Sequence, residues 1–252
     1  MKVFLFLLTF FSVIFSRSFS FELENIDEGV YVHFGKQEDS NKLNTGDIAN
    51  IGFIVGSESI AVIDTGASVK IGKKMYTMIK KISKLPISHI IITHSHPDHF
   101  MGTEAFIKDK PIIIGHENLN RSLINNFEFY KALQFNLTKD ESIKSTKLVL
   151  ANKLIKKNDS LKINLGGKHL IIKAWSSGHT DNDLSIYDEN SKIFWSENIF
   201  VDRIPSIRAS IKGWQKNLNE ILKLDIKKIV PGHGPIMSKN EAISPMISYF
   251  DQ

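Results

Sequence analysis

The sequence predicts an α+β fold with two sheets packed face to face and helices on the outside. Three observations carry this expectation. Short apolar strands alternate with amphipathic helices along the chain. The order strands, helix, strand ending in histidine occurs twice, once before His94 and once before His233. The chain has 252 residues, 42% hydrophobic and 23% charged, enough for one large domain with a real core.

The elements follow from local pattern. Residues 28–35 read as a strand ending in a turn, and the polar stretch 36–49 as a mobile loop. Residues 50–56 and 59–64 read as paired strands. Gly66 permits a tight turn and Ser68 caps a helix reaching about Leu85, with Ile71, Met75, Met78 and Ile82 at helical spacing as its core face. Pro86 stops that helix, and 88–93 is a strand. Residues 104–109 and 117–135 read as helical around a short strand at 112–114. The stretch 136–158 has no regular pattern and reads as an irregular insertion or flap. A second strand series covers 160–165, 169–174, 184–188 and 192–195. A helix at 211–224 with Trp214 and Leu218 in the core, a strand at 226–230 and a helix at 242–249 complete the domain.

Composition excludes several functions. The formal charge is +5, and about +3 once Lys2 and Arg17 leave with the leader described next. The lysines are dispersed without a basic, aromatic-interleaved stripe, so no nucleic-acid partner is expected. The absence of cysteine excludes disulfides, thiolate ligands and a cysteine nucleophile. At the N-terminus, Lys2 precedes an apolar run from Val3 to Phe15, and Ser18-Phe19-Ser20 places small residues where a signal peptidase cuts. Residues 1–20 are therefore expected to be a signal peptide and 21–252 a single exported domain, periplasmic in a bacterium. An uncleaved anchor is the other reading of that run. No later segment is apolar enough for stable membrane insertion.

The chemistry lies in His94-Ser95-His96-Pro97-Asp98-His99, three imidazoles and a carboxylate at the end of an apolar strand. Imidazole and carboxylate are ligands for zinc and related divalent metals. His94 and His96 point the same way in an extended chain, and Pro97 bends the path before Asp98 and His99. The motif can thus divide its ligands between two adjacent metals. Asp64, His179 and His233 are likewise delivered by the ends of apolar elements. The expected sets are His94, His96 and His179 for one ion, and Asp98, His99 and His233 for the other. Three protein ligands per ion leave room for water and a small-molecule substrate.

These motifs resemble those of the metallo-beta-lactamase fold superfamily. The family pattern His-x-His-x-Asp-His is met at His94 to His99, the strand-end aspartate at Asp64-Thr65-Gly66, the Gly-His-Thr at Gly178-His179-Thr180 and the Pro-Gly-His-Gly at Pro231 to Gly234. The resemblance implies a four-layered αβ/βα sandwich of two mixed sheets and a metal-dependent hydrolase with two zinc ions. Its substrate would be a small ester, lactone, thioester or lactam. It also implies that Asp98 orients the nucleophile and that Asp64 braces the histidine loop. One departure stands out. Where many members carry a bridging aspartate, the loop after 193–195 here carries Glu197, one methylene longer; it is a candidate metal ligand that could bridge two ions, bind one only or point away, which puts second-site occupancy in question. Arg203 follows that loop and is a candidate for binding a substrate carboxylate. A narrower resemblance, through residues 29–35, 49–56 and 204–214, is to exported quinoprotein relay system and sulfur-oxidation-associated metallohydrolases. It implies a redox-system partner. The competing expectations are a non-catalytic metal-binding accessory protein and a mononuclear iron persulfide oxygenase. His33, His89, His116 and His169 lack comparable motifs and are expected to be structural.

Overall fold

A computed structural model describes residues 21–252; the expected signal peptide, 1–20, lies outside the described residues. The chain opens with β1 (Glu24–Asp27), β2 (Val30–His33), β3 (Ile51–Val55) and β4 (Ile60–Ile63), each antiparallel to the last. α1 (Val69–Ile82) crosses over to β5 (Ile87–Ile91), which lies parallel to β4. The single-turn α2 (Pro97–Phe100) and β6 (Ile112–His116) follow, then α3 (Leu119–Thr138) and β7 (Lys153–Ile155). These strands make one seven-stranded mixed sheet in sequential order.

The second half supplies β8 (Ser160–Asn164), β9 (His169–Ala174), β10 (Leu184–Asp188) and β11 (Ile193–Phe200) as an antiparallel series. α4 (Ile211–Ile221) then carries the chain to β12 (Lys228–His233), parallel to β11, and α5 (Lys239–Phe250) closes the fold. This five-stranded sheet runs β12-β11-β10-β9-β8.

Burial explains the layering. β4 is Ile-Ala-Val-Ile with every residue buried, as a strand covered on both faces requires. β9 alternates, burying Leu170, Ile172 and Ala174. Between the sheets, Val32, Ile54 and Ile63 meet Ile172, Ile186 and Trp195. Outside the larger sheet, Ile71, Met75 and Ile79 of α1 pack with Leu123 and Phe127 of α3. Outside the smaller sheet, Trp214 and Leu218 of α4 pack with Ile243 and Met246 of α5. The result is the αβ/βα sandwich of two mixed sheets.

Four details depart from the sequence reading. β1 lies in a stretch assigned no element. In α1 the buried stripe is Ile71, Met75 and Ile79, so Met78 falls on its margin and the last helical residue, Ile82, is exposed. The unplaced stretch 136–158 contains the end of α3, a short 3-10 turn at Glu141–Ser145 and the edge strand β7. β11 continues to Phe200 with all eight residues buried, so Glu197 sits on a strand and not in a loop. Ser68 caps α1 as expected, accepting a hydrogen bond from the Ile71 amide.

The indole of Trp195 lies fully buried in the inter-sheet core, and a side chain at Gly52 would collide with it. Trp195→Ala is expected to lower unfolding free energy by about 3–5 kcal/mol, read from urea denaturation; a loss near zero would contradict this packing.

Candidate metal centre

The two sheets are joined at the edge where β4, β5, β9, β11 and β12 end. The Leu184 amide donates to Thr93 O at 2.8 Å, linking β10 to the end of β5. Asn50 Nδ2 donates to Pro231 O and Gly234 O, both at 2.8 Å, fixing the chain around His233. Every expected ligand lies at this seam.

Asp64 leaves β4 in the left-handed region, with φ of 54°, and its side chain is fully buried. Oδ1 accepts from the Thr93 amide at 2.9 Å, and Oδ2 from Thr93 Oγ1 at 2.6 Å and His99 Nδ1 at 2.8 Å. Pro97 occupies the first turn of α2, where its missing N–H costs nothing. The Thr65 amide donates to His99 O at 2.7 Å, clamping that turn against Asp64.

His94, His96 and His179 present ligand nitrogens all within 4.8 Å of one another. His179 Nδ1 donates to Ser206 O at 2.8 Å, leaving Nε2 a bare lone pair. Thr93 Oγ1 directs its hydrogen at Asp64 Oδ2, so at 3.2 Å it accepts from His94 Nδ1, leaving His94 Nε2 bare too. Both lone pairs face His96 Nδ1, at 2.9 and 3.0 Å. One proton there can satisfy only one of them. A divalent transition metal would satisfy all three, so the donor set fits such an ion.

Asp98, His99 and His233 form a second group within the same limit. His233 Nδ1 donates to Ile48 O at 2.8 Å, and its Nε2 lies 3.5 Å from Asp98 Oδ2. His99 Nε2 is 3.4 Å from that oxygen and, buried, has no hydrogen-bond partner. Two imidazoles and a carboxylate so grouped form a donor set that fits a second divalent ion.

Glu197 is gathered differently. It groups with Asp64 and His99, not with either set above. Its Oε2 lies 3.1 Å from His99 Nδ1, the nitrogen already donating to Asp64, and neither carboxylate oxygen makes a hydrogen bond. A Cβ at Gly232 would meet this oxygen at 2.6 Å, so glycine there makes room for the longer side chain.

The electrostatics follow from crowding without water. Burial and the neighbouring imidazoles push His94 and His179 well below the usual histidine range. Burial brings His96 and His233 down to about 4, against the opposing pull of Asp98. For His99 burial works against the charged ring, but Asp98, Glu197 and Asp64 outweigh it and raise its pKa well above normal. Burial opposes the ionised form of Asp98, yet the adjacent His99, His233 and His96 hold its carboxyl far below the usual range. Burial raises Glu197 well above the carboxylate range despite His99 beside it.

Arg203 engages a carboxylate of the chain itself: Nη2 donates to Asp39 Oδ1 at 2.8 Å and Nη1 to Glu38 O at 3.2 Å. The arginine thereby ties the 36–49 loop to the cleft above the histidines. That loop is also braced internally, with Asn44 Oδ1 accepting from the amides of Asn41 and Gly46. His116 is buried and bonded to Trp175 O and the Asn118 amide, outside all three groups.

Two features escaped the sequence reading. Asp183, pushed up to about 7 by burial against the pull of Thr180, accepts from the Thr180 amide and hydroxyl and so holds the His179 turn. Its signal was present in the run His179-Thr180-Asp181-Asn182-Asp183, a polar cluster between strands. Arg208 and Tyr130 line the cleft with His96 and Asp98. Their only sequence signal was a second arginine five residues after Arg203.

The metallo-beta-lactamase superfamily model matches residues 44–233. Over 62 residues the chain is 39% identical to a linear primary-alkylsulfatase of Pseudomonas, covering 25% of this chain and 12% of that protein. It is 24% identical over 153 residues to a beta-lactamase-like protein 2 homolog of Caenorhabditis elegans, covering 61% of this chain and 44% of that one. The chain thus spans less than half the length of these curated relatives. A metallo-beta-lactamase from Pontibacter korlensis superposes with a TM-score of 0.73 at 19% identity, covering 92% of this chain and 99% of that one. This likeness establishes the fold.

Two outcomes follow. Asp64→Asn removes the negative acceptor behind His99 and is expected to weaken Zn2+ binding about 10–100-fold, measured by competition with a chromophoric chelator. In metal-free protein, His96 and His233 refuse protons that the unfolded chain accepts below about pH 6.5, so stability falls as pH drops from there toward 5. His99 is protonated in both states over that window; its contribution is lost only as pH rises toward its raised native value. Thermal melts of chelated protein should show the acid-side decline, and a flat profile would contradict it.

Proposed function

The chain belongs to the metallo-beta-lactamase superfamily, and from that premise we propose that it is a metal-dependent hydrolase using two zinc ions on a small ester, lactone, thioester or lactam. The observation that carries this is the convergence of lone pairs from His94, His96 and His179 on one point beside Asp98, His99 and His233. In this reading the first trio holds one ion and the second trio the other. Bound metal supplies Lewis acidity and lowers the pKa of water toward neutrality.

The chain's own residues do the rest. Asp98, ionised and set between His99 and His233, accepts a hydrogen bond from the attacking water and orients it. Asp64 fixes the His99 ring so that Nε2 faces Asp98 Oδ2. Glu197, lying on the Nδ1 side of His99, packs its buried carboxyl group behind that ligand, and this position supports a bracing role over a bridging one. Such an arrangement makes the second ion the weaker of the two. The alkylsulfatase relative adds sulfate esters to the substrates worth testing.

The proposal includes export, supported by the residue pattern of positions 1–20. Among the described residues no helix is long and apolar enough to cross a membrane. The narrower resemblance to quinoprotein relay system metallohydrolases adds a redox-system partner to the proposed setting.

Elemental analysis of the purified chain, paired with nitrocefin, lactone, thioester and sulfate-ester assays, tests this. Chelation is expected to abolish turnover and Zn2+ to restore it. His96→Ala should lose the first ion and lower turnover by at least ~100-fold, beyond the effect of losing an outer partner. Bound iron with dioxygen uptake would instead establish the persulfide oxygenase, and stoichiometric metal without turnover on any substrate the accessory protein.

A further inference from the structure

A cleft of about 460 Å³ lies over the metal centre, with His96, Asp98 and His233 in its lining. Its walls are chemically unequal. α3 contributes Tyr130, Leu133 and Leu137, and the segment after β11 contributes Ile204 and Arg208. Leu133 and Leu137 stand one helical turn apart and keep 37% and 43% of their surface in solvent, and Ile204 keeps 78%. Three aliphatic side chains left open around one cleft form an apolar surface without a covering partner.

The charges in the cleft are mostly spoken for. Asp98 is matched by His99 and His233, and Arg203 by Asp39. Arg208 is the exception: among the described residues its guanidinium has no hydrogen bond or ion pair, and only its backbone is engaged, donating to His179 O at 3.2 Å. It is close enough to act electrostatically on both His96 and Tyr130. An unmatched guanidinium next to an aliphatic wall calls for an oxyanion joined to hydrocarbon.

We propose that the cleft selects an amphiphilic monoanion, a carboxylate or sulfate carrying a linear aliphatic chain, whose anionic group pairs with Arg208 and whose chain lies along Leu133 and Leu137. This rests on the hydrolase reading only for the consequence that such a molecule is the substrate; binding itself is independent of turnover. Arg208 is then a specificity-determining residue, and Arg203 holds the opposite wall in place.

The test is equilibrium binding by calorimetry to the zinc-loaded full chain, using decanoate and decyl sulfate below micelle-forming concentrations. Butyrate and neutral decanol serve as comparators. Decanoate or decyl sulfate should bind more tightly than butyrate and decanol, and whichever binds better identifies the anion. Arg208→Gln should weaken the anionic probe about 10–100-fold, the range of a hydrogen bond to a charged group, and leave decanol unchanged; Arg208→Lys should restore part of the loss. Leu133→Ser should reduce the advantage of decanoate over butyrate. Equal binding of butyrate and decanoate, or an Arg208→Gln variant that binds both anionic probes like wild type, would overturn the proposal. Tight, Arg208-dependent binding with no hydrolysis of any ester would sustain it and defeat the hydrolase reading; ester turnover indifferent to Arg208 and chain length would do the reverse.

Discussion

One buried carboxylate organises the metal centre. Asp64 has no exposed surface, and an isolated carboxylate so placed would be expelled or neutralised. It is retained because three donors converge on it: the Thr93 amide, the Thr93 hydroxyl and His99 Nδ1. Hydrogen bonds to an ionised acceptor are the strong kind. Each one also fixes something else. The two from Thr93 hold the end of β5, and with it His94. The one from His99 sets the ring so that its other nitrogen faces Asp98 and His233. Thr93 O in turn accepts from Leu184, so the same residue joins the second sheet to the first. The ligand geometry is therefore a property of how two sheets meet, and Asp64 is where that meeting is enforced.

Crowding explains the charge states around this hub. Four imidazoles, His94, His96, His179 and His233, are crowded together and largely buried, so all are driven toward the neutral form that binds metal. His99 alone lies between carboxylates and keeps a proton. Glu197 sharpens that contrast. Its extra methylene carries the carboxylate to the Nδ1 side of His99, into space that Gly232 leaves open. The backbone of Glu197 also comes close to Gly232, so a side chain there would clash with the strand as well as with the carboxyl group.

Most of the layered fold and all six side chains that the structure gathers into two candidate ligand groups were legible in the sequence because their signals are short-range. The six-residue histidine motif, the Ser68 cap and the alternation of β9 each require only neighbouring residues. What escaped depends on distant partners. The burial of α1 is set by where the sheet and α3 press on it, which moved the core face to Ile79 and left Ile82 in solvent. β11 runs past Trp195 because β12 pairs with it through a register shift between Ser196 and Phe200, and only that pairing makes Glu197 a strand residue. Arg203 was read as free to meet a substrate, but its partner, Asp39, is 164 residues away in sequence. Arg208 gave no local sign beyond its spacing from Arg203; its significance arises from what does not pair with it.

Chemistry and recognition are built from different materials here. The candidate metal ligands lie in the turns that follow β5 and β9 and at the end of β12, all but His96 buried, so packing and hydrogen bonds fix them in advance. The groups that would meet the rest of a substrate lie on one face of α3 and on the segment after β11, partly in solvent. The scaffold that carries the first set is a fold this chain shares with a structure only 19% identical to it. The second is free to differ because nothing in the core depends on it. That separation is why the metal site can be read from motifs while substrate choice cannot. It also means that changes at Leu133 or in the Arg208 side chain act on selectivity without removing a hydrogen bond from the seam that holds the histidines, since neither side chain bonds to Asp64, Thr93 or the six candidate ligands.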